Sequence, residues 1–428
     1  MSFNRGIAWN LVGSGLPLLV GLATIPFLIE ALGLDRFGML TLIWALIGYF
    51  SLFDFGLSRA LTQVISKHRQ DKSAINAYAT VGLFLIGLLG FCGTLFLIVG
   101  VLVYPDDWFG VKQEMVADTR QALILCAVGI PMATLTAGCR GVLEGFLNFK
   151  DSNILRLMLG IANFLFPVLA VVFVEPSLTY VAVSLVVARA LILALSIVQV
   201  RRNVLVQYVL LFSGPSVYRE FAKFGSWLTV SNLVSPLMVV SDRFFLAAIA
   251  GTAVVAYYTV PFEVVIRALI IPAALTGVYF AYASNLNHND PEEAERFYKA
   301  KRKQTFLLMF CIGLSIVLFS KIFLTLWVGK DFAEHAWEIM ALMGVGIALN
   351  GMAQMPLSAI HASGQTKVVA QIHVTEFVLY VPSLYILIVN FGATGAALAW
   401  IFRALIDLIC MSFVERSIRQ TNLRLSNP

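Results

Sequence analysis

The sequence predicts an all-α polytopic membrane protein with about 12 transmembrane helices. Composition is the first reason: hydrophobic residues make up 59% of the chain and charged residues only 13%, whereas roughly a quarter of the residues are charged in soluble domains. Mean hydropathy is accordingly high, at +0.86. The second reason is the pattern, because the charged residues lie in short runs between apolar stretches that are each long enough to cross a bilayer, which takes about 17 to 25 residues.

Six apolar stretches occupy each half of the chain. In the first half they lie near 6–30, 38–60, 74–104, 119–139, 154–175 and 178–200. In the second half they lie near 224–249, 253–283, 304–327, 337–360, 368–390 and 393–415. The first stretch is longer than the apolar part of a signal peptide, and no A-x-A-like cleavage site follows it. We therefore expect it to be retained as the first span.

The second predicted span is interrupted by charge. From Gly38 to Phe53 there is no charged residue, and Asp54 and Arg59 then follow within apolar sequence. A charged side chain at the centre of a bilayer costs about 2.5 to 3.5 kcal/mol on insertion scales. We therefore expect protein or water to surround Asp54 and Arg59, whose roles would be in gating or in structure.

The distribution of Lys and Arg predicts that both termini are cytoplasmic. Twelve spans place the termini on one side, and the segments on that side contain 20 Lys and Arg residues. The opposite segments contain four, namely Arg36, Lys112, Arg120 and Lys330. Cytoplasmic segments of membrane proteins are enriched in Lys and Arg. The net charge of +6 therefore suggests contact with anionic lipid headgroups and not with nucleic acid, since no basic helix face is interleaved with aromatic residues.

The chain divides into two similar halves. We predict a first bundle of six helices at 1–200, a cytoplasmic interfacial linker at 201–223 and a second bundle at 224–428. Residues of one half recur in the other at an offset of 214 to 218, as parallel repeats of transporters do. The matched pairs are Arg5 with Lys223, Trp9 with Trp227, Gly33 with Gly251, Lys150 with Lys367, and Arg189 with Arg403.

The sequence contains no catalytic motif. A phosphate-binding P-loop, an H-E-x-x-H zinc motif and a nucleophile elbow are all absent. The five cysteines lie in or beside apolar segments without C-x-x-C spacing, which predicts neither a disulfide framework nor a metal site. We expect no enzyme activity, no metal and no cofactor.

Ionisable residues within spans are the candidate functional residues, because intramembrane charge marks function by default. They are Arg59, Arg189, Arg243, Arg267, Lys321 and Arg403, with Asp54, Asp242, Glu263, Glu376 and Asp407. Glu263 and Arg267 are four residues apart and share a helix face, as do Arg403 and Asp407. For most of these charges a structural ion pair is the favoured interpretation. Arg243 and Arg267 are the exceptions, because both lie well inside spans.

Two further features of the spans are suggestive. Pro261 and Pro272 flank Arg267 and could act as hinges, since each removes a backbone hydrogen bond from its helix. His373 lies three residues before Glu376 near the cytoplasmic end of a span. An interfacial pair is the favoured interpretation of those two residues, with proton coupling as the alternative.

The chain resembles the oligosaccharide flippases of the Wzx type, in the superfamily that also contains the multidrug and toxic-compound extruders and the lipid II flippases. The resemblance rests on segments spread along the sequence: Trp9-Asn10, Pro26, Leu32-Gly33 with Phe37-Gly38, Asp54-Phe55-Gly56-Leu57 and Arg140-Gly-Val-Leu-Glu-Gly145. It implies a MATE-like fold, with two six-helix bundles around a central cavity. It also implies alternating-access transport of an undecaprenyl-diphosphate-linked oligosaccharide from the cytoplasmic to the outer leaflet of the bacterial inner membrane.

The same resemblance implies partners and a site. The transported lipid would supply surface polysaccharide such as the O-antigen of lipopolysaccharide, with membrane lipids, a polysaccharide polymerase and chain-length proteins as partners. We expect Arg243 and Arg267 to contact the diphosphate in the cavity, because guanidinium groups bind phosphate oxygens in bidentate fashion. The further cavity residues are Asp242, Glu263, Arg189 and Arg403, while Asp54, Arg59, Asp407 and Glu376 would have gating or structural roles.

Two other functions remain open. A cation-coupled multidrug extruder of the same fold needs acidic cavity residues for cationic drugs, and here nearly all the acids have cationic neighbours. A membrane-embedded polysaccharide polymerase or glycosyltransferase would carry a large polar loop, whereas the longest outer loop, PDDWFGVKQEMVAD, is short.

Overall fold

The computed structural model describes residues 3–50, 54, 56–68, 70–103, 111–203, 238–276, 279, 291–363 and 365–426. Nearly all of these residues are helical, and none of them lies in a strand. Contacts divide the chain into two compact units, Met1–Val240 and Ser241–Pro428. The predicted linker, 201–223, lies outside the described residues beyond position 203, so it stays a prediction.

The N-terminal unit is built around one central helix. Its described elements are α1 (Phe3–Leu32), α2 (Leu34–Phe50), α3 (Leu57–Lys67), α4 (Lys72–Val103), a 3-10 turn (Gln113–Met115), α5 (Val116–Gly145), α6 (Phe149–Phe173) and α7 (Leu178–Asn203). The apolar part of α5 is 56% buried, against 22% for α4 and for α6. α5 therefore forms the core of this unit, while α4 and α6 leave most of their apolar surface for lipid.

The second predicted span, 38–60, is wrong as a single helix. α2 ends at Phe50 and α3 begins at Leu57. Gly56 precedes α3 with a φ of 76°, in the left-handed region that favours glycine. The 11 residues of α3 extend only about 16 Å at 1.5 Å per residue, which is too short to cross a bilayer.

The buried residues of α3 show why it forms a separate helix. They are Leu57, Ala60, Leu61, Val64 and Ile65. Their spacing places them on one helix face, which packs against α4 and α5. α3 approaches α5 closely because residue 141 is glycine, and a Cβ there would overlap the backbone carbonyl of Ser58.

The C-terminal unit also has a central helix. Its described elements are α8 (helical residues 238–250), α9 (Thr252–Val265), a 3-10 turn (Ile266–Leu269), α10 (helical residues 270–276), α11 (Pro291–Trp327), α12 (Lys330–Ala362) and α13 (Thr366–Ser426). The apolar part of α12 is 56% buried, and α12 packs against α9, α11 and α13. Gly392 interrupts α13 with a φ of 56° and a ψ of −132°, which divides it into an N-terminal arm and a C-terminal arm.

Membrane-length helices are present in both units. Eight helices in the described part of the chain are long and apolar enough to cross a membrane: Lys72–Val103, Gln113–Gly145, Phe149–Phe173, Leu178–Arg202, Thr252–Thr276, Glu295–Trp327, Lys330–Ala362 and Lys367–Arg419. The last of these contains the break at Gly392, so it comprises two successive arms. α1 adds the shorter apolar helix Leu16–Leu32. The prediction of an all-α multi-pass membrane protein is confirmed.

The two units share local geometry at matched positions. Gly33 and Gly251, which the sequence repeat aligns, both follow a helix and both have a positive φ, of 76° and 90°. Each glycine is followed at once by the next helix, α2 or α9. The repeat inferred from sequence spacing therefore matches a positive-φ glycine between two consecutive helices in both units.

Candidate functional site

The largest group of predicted site residues lies in the C-terminal unit, beginning at Asp242 on α8. This side chain is 2% exposed. One carboxylate oxygen accepts a 2.5 Å hydrogen bond from the hydroxyl of Tyr258 on α9, and the other accepts from the backbone N–H of Arg243 at 2.8 Å. Both oxygens therefore have donors, as a buried carboxylate requires.

Arg243, the next residue, directs its guanidinium to a different carboxylate. Its Nη2 donates to Oε1 of Glu263 at 3.0 Å, and the guanidinium lies 5.3 Å from the ring centroid of Phe262. The side chain is only 9% exposed. Its Nε has no hydrogen-bond partner among the described residues, so one donor of this buried cation is unsatisfied.

Glu263 is shared between two arginines. Its second oxygen, Oε2, lies 3.4 Å from Nη2 of Arg267, one turn further along the chain. The predicted same-face pair of Glu263 and Arg267 is thus confirmed, and Arg243 is the partner that the sequence did not reveal. Arg267 is the most accessible of the three, with 44% of its side chain exposed. We call these residues the Arg–Glu–Arg cluster, and its formal charge is +1.

Arg267 lies where the helix changes its geometry. The segment Ile266–Leu269 is a 3-10 turn between α9 and α10. Pro272 follows, and because it has no N–H it cannot donate to the carbonyl of Ala268 four residues earlier. A short 3-10 stretch inside a longer helix often marks a hinge or a sequence under strain, and the hinge role of Pro261 and Pro272 stays a prediction.

A second group of titratable side chains joins the two arms of α13. His373, Glu376 and Asp407 each offer a ligand atom, and these atoms lie within 4.8 Å of one another. Glu376 is 3% exposed, and Glu376 Oε1 and Asp407 Oδ1 have no hydrogen-bond partner among the described residues. We call this group the acid–histidine cluster. A buried and a partly buried carboxylate, each with one unpartnered oxygen among the described residues, can hold a proton or a metal cation.

Two predicted pairings are different in the structure. Arg403 shares a helix face with Asp407, yet its guanidinium lies over the ring of Tyr380, 5.6 Å from the centroid. Asp407 instead lies 3.9 Å from Nε2 of His373. The nearest ionic partner of His373 is therefore Asp407 and not Glu376, because the break at Gly392 lets the second arm of α13 return against the first.

Arg189 lies in the N-terminal unit. It is 5% exposed, and its donors reach the carbonyl of Leu185 at 2.9 Å and Oδ1 of Asn163 at 3.2 Å. Its side chain passes Gly129, where a Cβ would lie 3.2 Å from Arg189 Cδ. These contacts tie α5, α6 and α7 together, which is a structural arrangement for Arg189.

Asp54 and Arg59 line a pocket beside α3. The Asp54 carboxylate accepts from the backbone N–H groups of Gly56 at 3.0 Å and Ser58 at 3.3 Å, which satisfies donors at the start of α3. The pocket has a volume of about 270 Å³ and also exposes Arg140, Glu144 and Arg156. We call it the polar pocket.

Sequence reasoning missed part of the polar pocket. The sequence indicates Arg140 and Glu144 only as members of the motif Arg140-Gly-Val-Leu-Glu-Gly145, and Arg156 only as one of the 20 cytoplasmic cations. Glu144 lies 3.8 Å from Arg156 and accepts a 2.6 Å hydrogen bond from Ser152. The available signal was the spacing of Arg140 and Glu144, which are four residues apart and therefore share a face of α5.

Comparisons with known proteins identify the family of this chain. Residues 3–287 match the family described as "Polysaccharide biosynthesis protein". The chain is 31% identical to a "Putative O-antigen transporter" of Shigella flexneri over 97% of this chain and 98% of that protein.

Among solved structures, the fold is similar to that of a multidrug resistance MATE family transporter of the MOP superfamily in an inward-facing conformation, with a TM-score of 0.80 and 17% identity over 97% of this chain and 99% of that one. An outward-facing conformation of such a transporter matches with a TM-score of 0.67 and 14% identity over 96% of this chain and 94% of that one. The predicted MATE-like fold is confirmed, and the chain belongs to the family of polysaccharide biosynthesis proteins.

Proposed function

We propose that the protein is a flippase that moves an undecaprenyl-diphosphate-linked oligosaccharide from the cytoplasmic to the outer leaflet of the bacterial inner membrane. The observation that carries this proposal is the near full-length relationship to the Shigella flexneri protein named "Putative O-antigen transporter". The MATE-type fold supports the proposal, because the similar solved structure is a MATE family transporter. The product would feed surface polysaccharide synthesis, where a polymerase and chain-length proteins would act on it.

The Arg–Glu–Arg cluster is the proposed contact for the diphosphate. A guanidinium fork suits two phosphate oxygens at once, and the cluster keeps one positive charge in excess of its carboxylate. Arg267 has the exposure needed to meet a ligand, whereas Arg243 is largely buried against Glu263. A diphosphate would then bind Arg267 first and compete with Glu263 for its donors.

The acid–histidine cluster is the proposed coupling element. The buried carboxylate of Glu376 and the partly buried one of Asp407 have oxygens within 4.8 Å of each other. They repel when both are ionised, and a proton or a cation between them relieves the repulsion. Loading and unloading of this cluster would bias the arms of α13, since both arms contribute to it. An ion gradient would thereby supply the driving force for transport.

The proposed orientation follows from the distribution of basic residues. The predicted cytoplasmic segments contain 20 Lys and Arg and the outer ones four, so both termini would be cytoplasmic. Asp242 and Arg189 are buried within their units and Arg403 is half-buried, so these three residues would support the fold around the substrate path rather than touch the substrate.

A second candidate function is cation-coupled export of cationic drugs. The observation that favours it is the pair of unsatisfied carboxylate oxygens in the acid–histidine cluster, together with the multidrug transporters among the fold's neighbours. The excess positive charge of the Arg–Glu–Arg cluster opposes it, because a cationic drug would be repelled there.

Deletion of the gene distinguishes the two functions. The flippase proposal expects surface polysaccharide to be lost and its lipid-linked precursor to accumulate on the cytoplasmic side, with both restored by the intact gene. Unchanged surface polysaccharide together with new sensitivity to cationic dyes would contradict the flippase function and support the drug-export function.

A further inference from the structure

A groove runs between α11 and the C-terminal arm of α13, at the end of the unit where α11 begins. α12 packs against both helices, and the nearly buried Met352 of α12 contributes to the lining. The groove has a volume of about 360 Å³, which falls within the range of sites for small ligands. It involves neither the Arg–Glu–Arg cluster nor the acid–histidine cluster.

One end of this groove is cationic. Arg302 and Arg416 line it together with Ser412, and Nη2 of Arg302 lies 3.4 Å from the hydroxyl of Ser412. The nearest acid, Glu415, is already matched, since it lies 3.6 Å from Arg302 and 3.1 Å from Arg419. Arg416 is exposed, and no carboxylate lies within ion-pair distance of it in the part of the chain that the structure describes.

The other end of the groove is apolar and lies deeper along both helices. Phe306 follows Arg302 by one helical turn, and Phe413 and Ile409 precede Arg416 by one and two turns on the same face. These positions lie about 4 to 10 Å from the arginines along the helix axes, at 1.5 Å per residue. Phe306, Ile409 and Phe413 are more than half exposed, so they present apolar surface to whatever occupies the groove.

The antiparallel helices thus set two guanidinium groups at one level and aromatic and aliphatic side chains beneath them. This is the order of groups in a phospholipid, whose phosphate lies above its acyl chains. Basic pockets between transmembrane helices on the cytoplasmic side bind anionic headgroups, and this end of the unit is the one predicted to be cytoplasmic. A zwitterionic lipid fits less well, because its ammonium group would approach the same arginines.

We propose that this groove binds an anionic phospholipid of the cytoplasmic leaflet, with its phosphate on Arg302 and Arg416 and its acyl chains along Phe306, Ile409 and Phe413. The proposal does not depend on the transported substrate. Its occupant is a bilayer lipid, such as phosphatidylglycerol or cardiolipin, and not a free anion.

Binding can be measured on the purified full-length protein by native mass spectrometry and by thermal unfolding with added lipid. Phosphatidylglycerol and cardiolipin should bind and raise the unfolding temperature, whereas phosphatidylethanolamine should do so weakly. Arg416→Gln should weaken binding of the anionic lipids about fivefold, the effect of one cation near an anionic membrane surface. Arg416→Lys should retain most of the binding.

Matched controls make the result decisive. Lys367→Gln removes an exposed cation from the same unit, outside the groove, and should leave lipid binding unchanged. Arg416 is exposed and has no ion-pair partner among the described residues, so its variants should fold. Thermal unfolding of the variants without lipid verifies this. Equal loss in Lys367→Gln, equal binding of phosphatidylethanolamine, equal stabilisation by inorganic phosphate, or displacement of phosphatidylglycerol by stoichiometric undecaprenyl phosphate would each overturn the proposal.

Discussion

The guanidinium of Arg243 and the carboxylate of Glu263 are joined across α8 and α9 at 3.0 Å. Glu263 also lies 3.4 Å from Arg267, so its carboxylate is shared between two arginines. The two arginines therefore have different environments. Arg243 is held inside the unit, while Arg267 sits at the exposed side of the same carboxylate, in the 3-10 turn.

Arg267→Gln should reduce export strongly with little effect on stability. The pair it breaks is half-exposed and one helical turn apart, and such pairs contribute roughly 0.3 to 0.5 kcal/mol. A loss of surface polysaccharide at normal protein levels would therefore reflect lost substrate contact. Export assays and thermal unfolding of the same variant are the measurements. Arg267→Lys should retain part of the activity if charge alone is needed, and little if the bidentate fork is required.

The double variant Glu263→Gln with Arg267→Gln tests the purely structural role of Arg267. If Arg267 served only to neutralise Glu263, removing both charges would restore export. We expect no restoration, because the double variant still lacks the guanidinium of Arg267 that would contact the diphosphate. Recovery of export to the level of the unmodified protein would contradict the proposed contact between Arg267 and substrate.

Arg243→Gln should lower the free energy of unfolding, by about 1 to 3 kcal/mol, because it removes a donor from a partly buried carboxylate. Combining it with Glu263→Gln should recover part of that loss. The coupling energy from this double-mutant cycle, of about 0.5 to 3 kcal/mol for residues in contact, is obtained from denaturation of the purified variants. A coupling energy near zero would mean that the ion pair contributes nothing to folding.

The acid–histidine cluster predicts a dependence of transport on ions. Glu376→Gln removes one carboxylate from the pair and should abolish the response of transport to a proton or sodium gradient in vesicles. Glu338→Gln, an exposed carboxylate on α12, is the matched control and should leave the response intact. If the gradient response survived in Glu376→Gln, the cluster would be structural and coupling would lie elsewhere.

Local features were predictable from the sequence, whereas contacts between helices were not. The spacing of Glu263 and Arg267 determined their shared face, and the repeat matched Gly33 with Gly251, which both have a positive φ between consecutive helices. Glu263 and Arg243 are 20 residues apart on separate helices. The helical periodicity of a single sequence relates residues on one helix, so it does not identify Arg243 as the partner of Glu263.

The second predicted span shows that hydropathy alone does not locate the ends of helices. The buried face of α3 carries Leu57, Leu61 and Ile65, and a hydropathy window adds these residues to the preceding apolar stretch. What separates α3 is the left-handed Gly56 and the carboxylate of Asp54, which accepts two backbone N–H groups. Asp54 and Gly56 thus determine where α3 begins, and the apolar residues on one face of α3 determine how it packs.

Asp54→Ala should destabilise the start of α3. It removes the acceptor of the Gly56 and Ser58 N–H groups, and loss of such a side-chain acceptor at a helix start costs about 0.5 to 2 kcal/mol. Asp54→Asn retains an acceptor and should cost less. Thermal unfolding of the two variants measures the difference, and equal stability of both with the unmodified protein would show that the Asp54 hydrogen bonds are dispensable.

The last prediction concerns orientation in the membrane and follows from the charge distribution. Lys112 lies in a predicted outer segment, where its Nζ is 2.6 Å from the carboxylate of Asp35. The hydrogen bond to Asp35 raises the pKa of Lys112 above its ordinary value. A cysteine in place of the neighbouring exposed residue Gln113 should react with an impermeant thiol reagent added to intact cells whose outer membrane admits it. A cysteine in place of Arg202, at the other end of the fold's N-terminal unit, should react only after the cells are opened.

The native cysteines must first be replaced, because Cys92 and Cys311 are exposed on the helices. Labelling of position 202 from outside would reverse the proposed orientation, and with it the direction of transport that the proposed function requires.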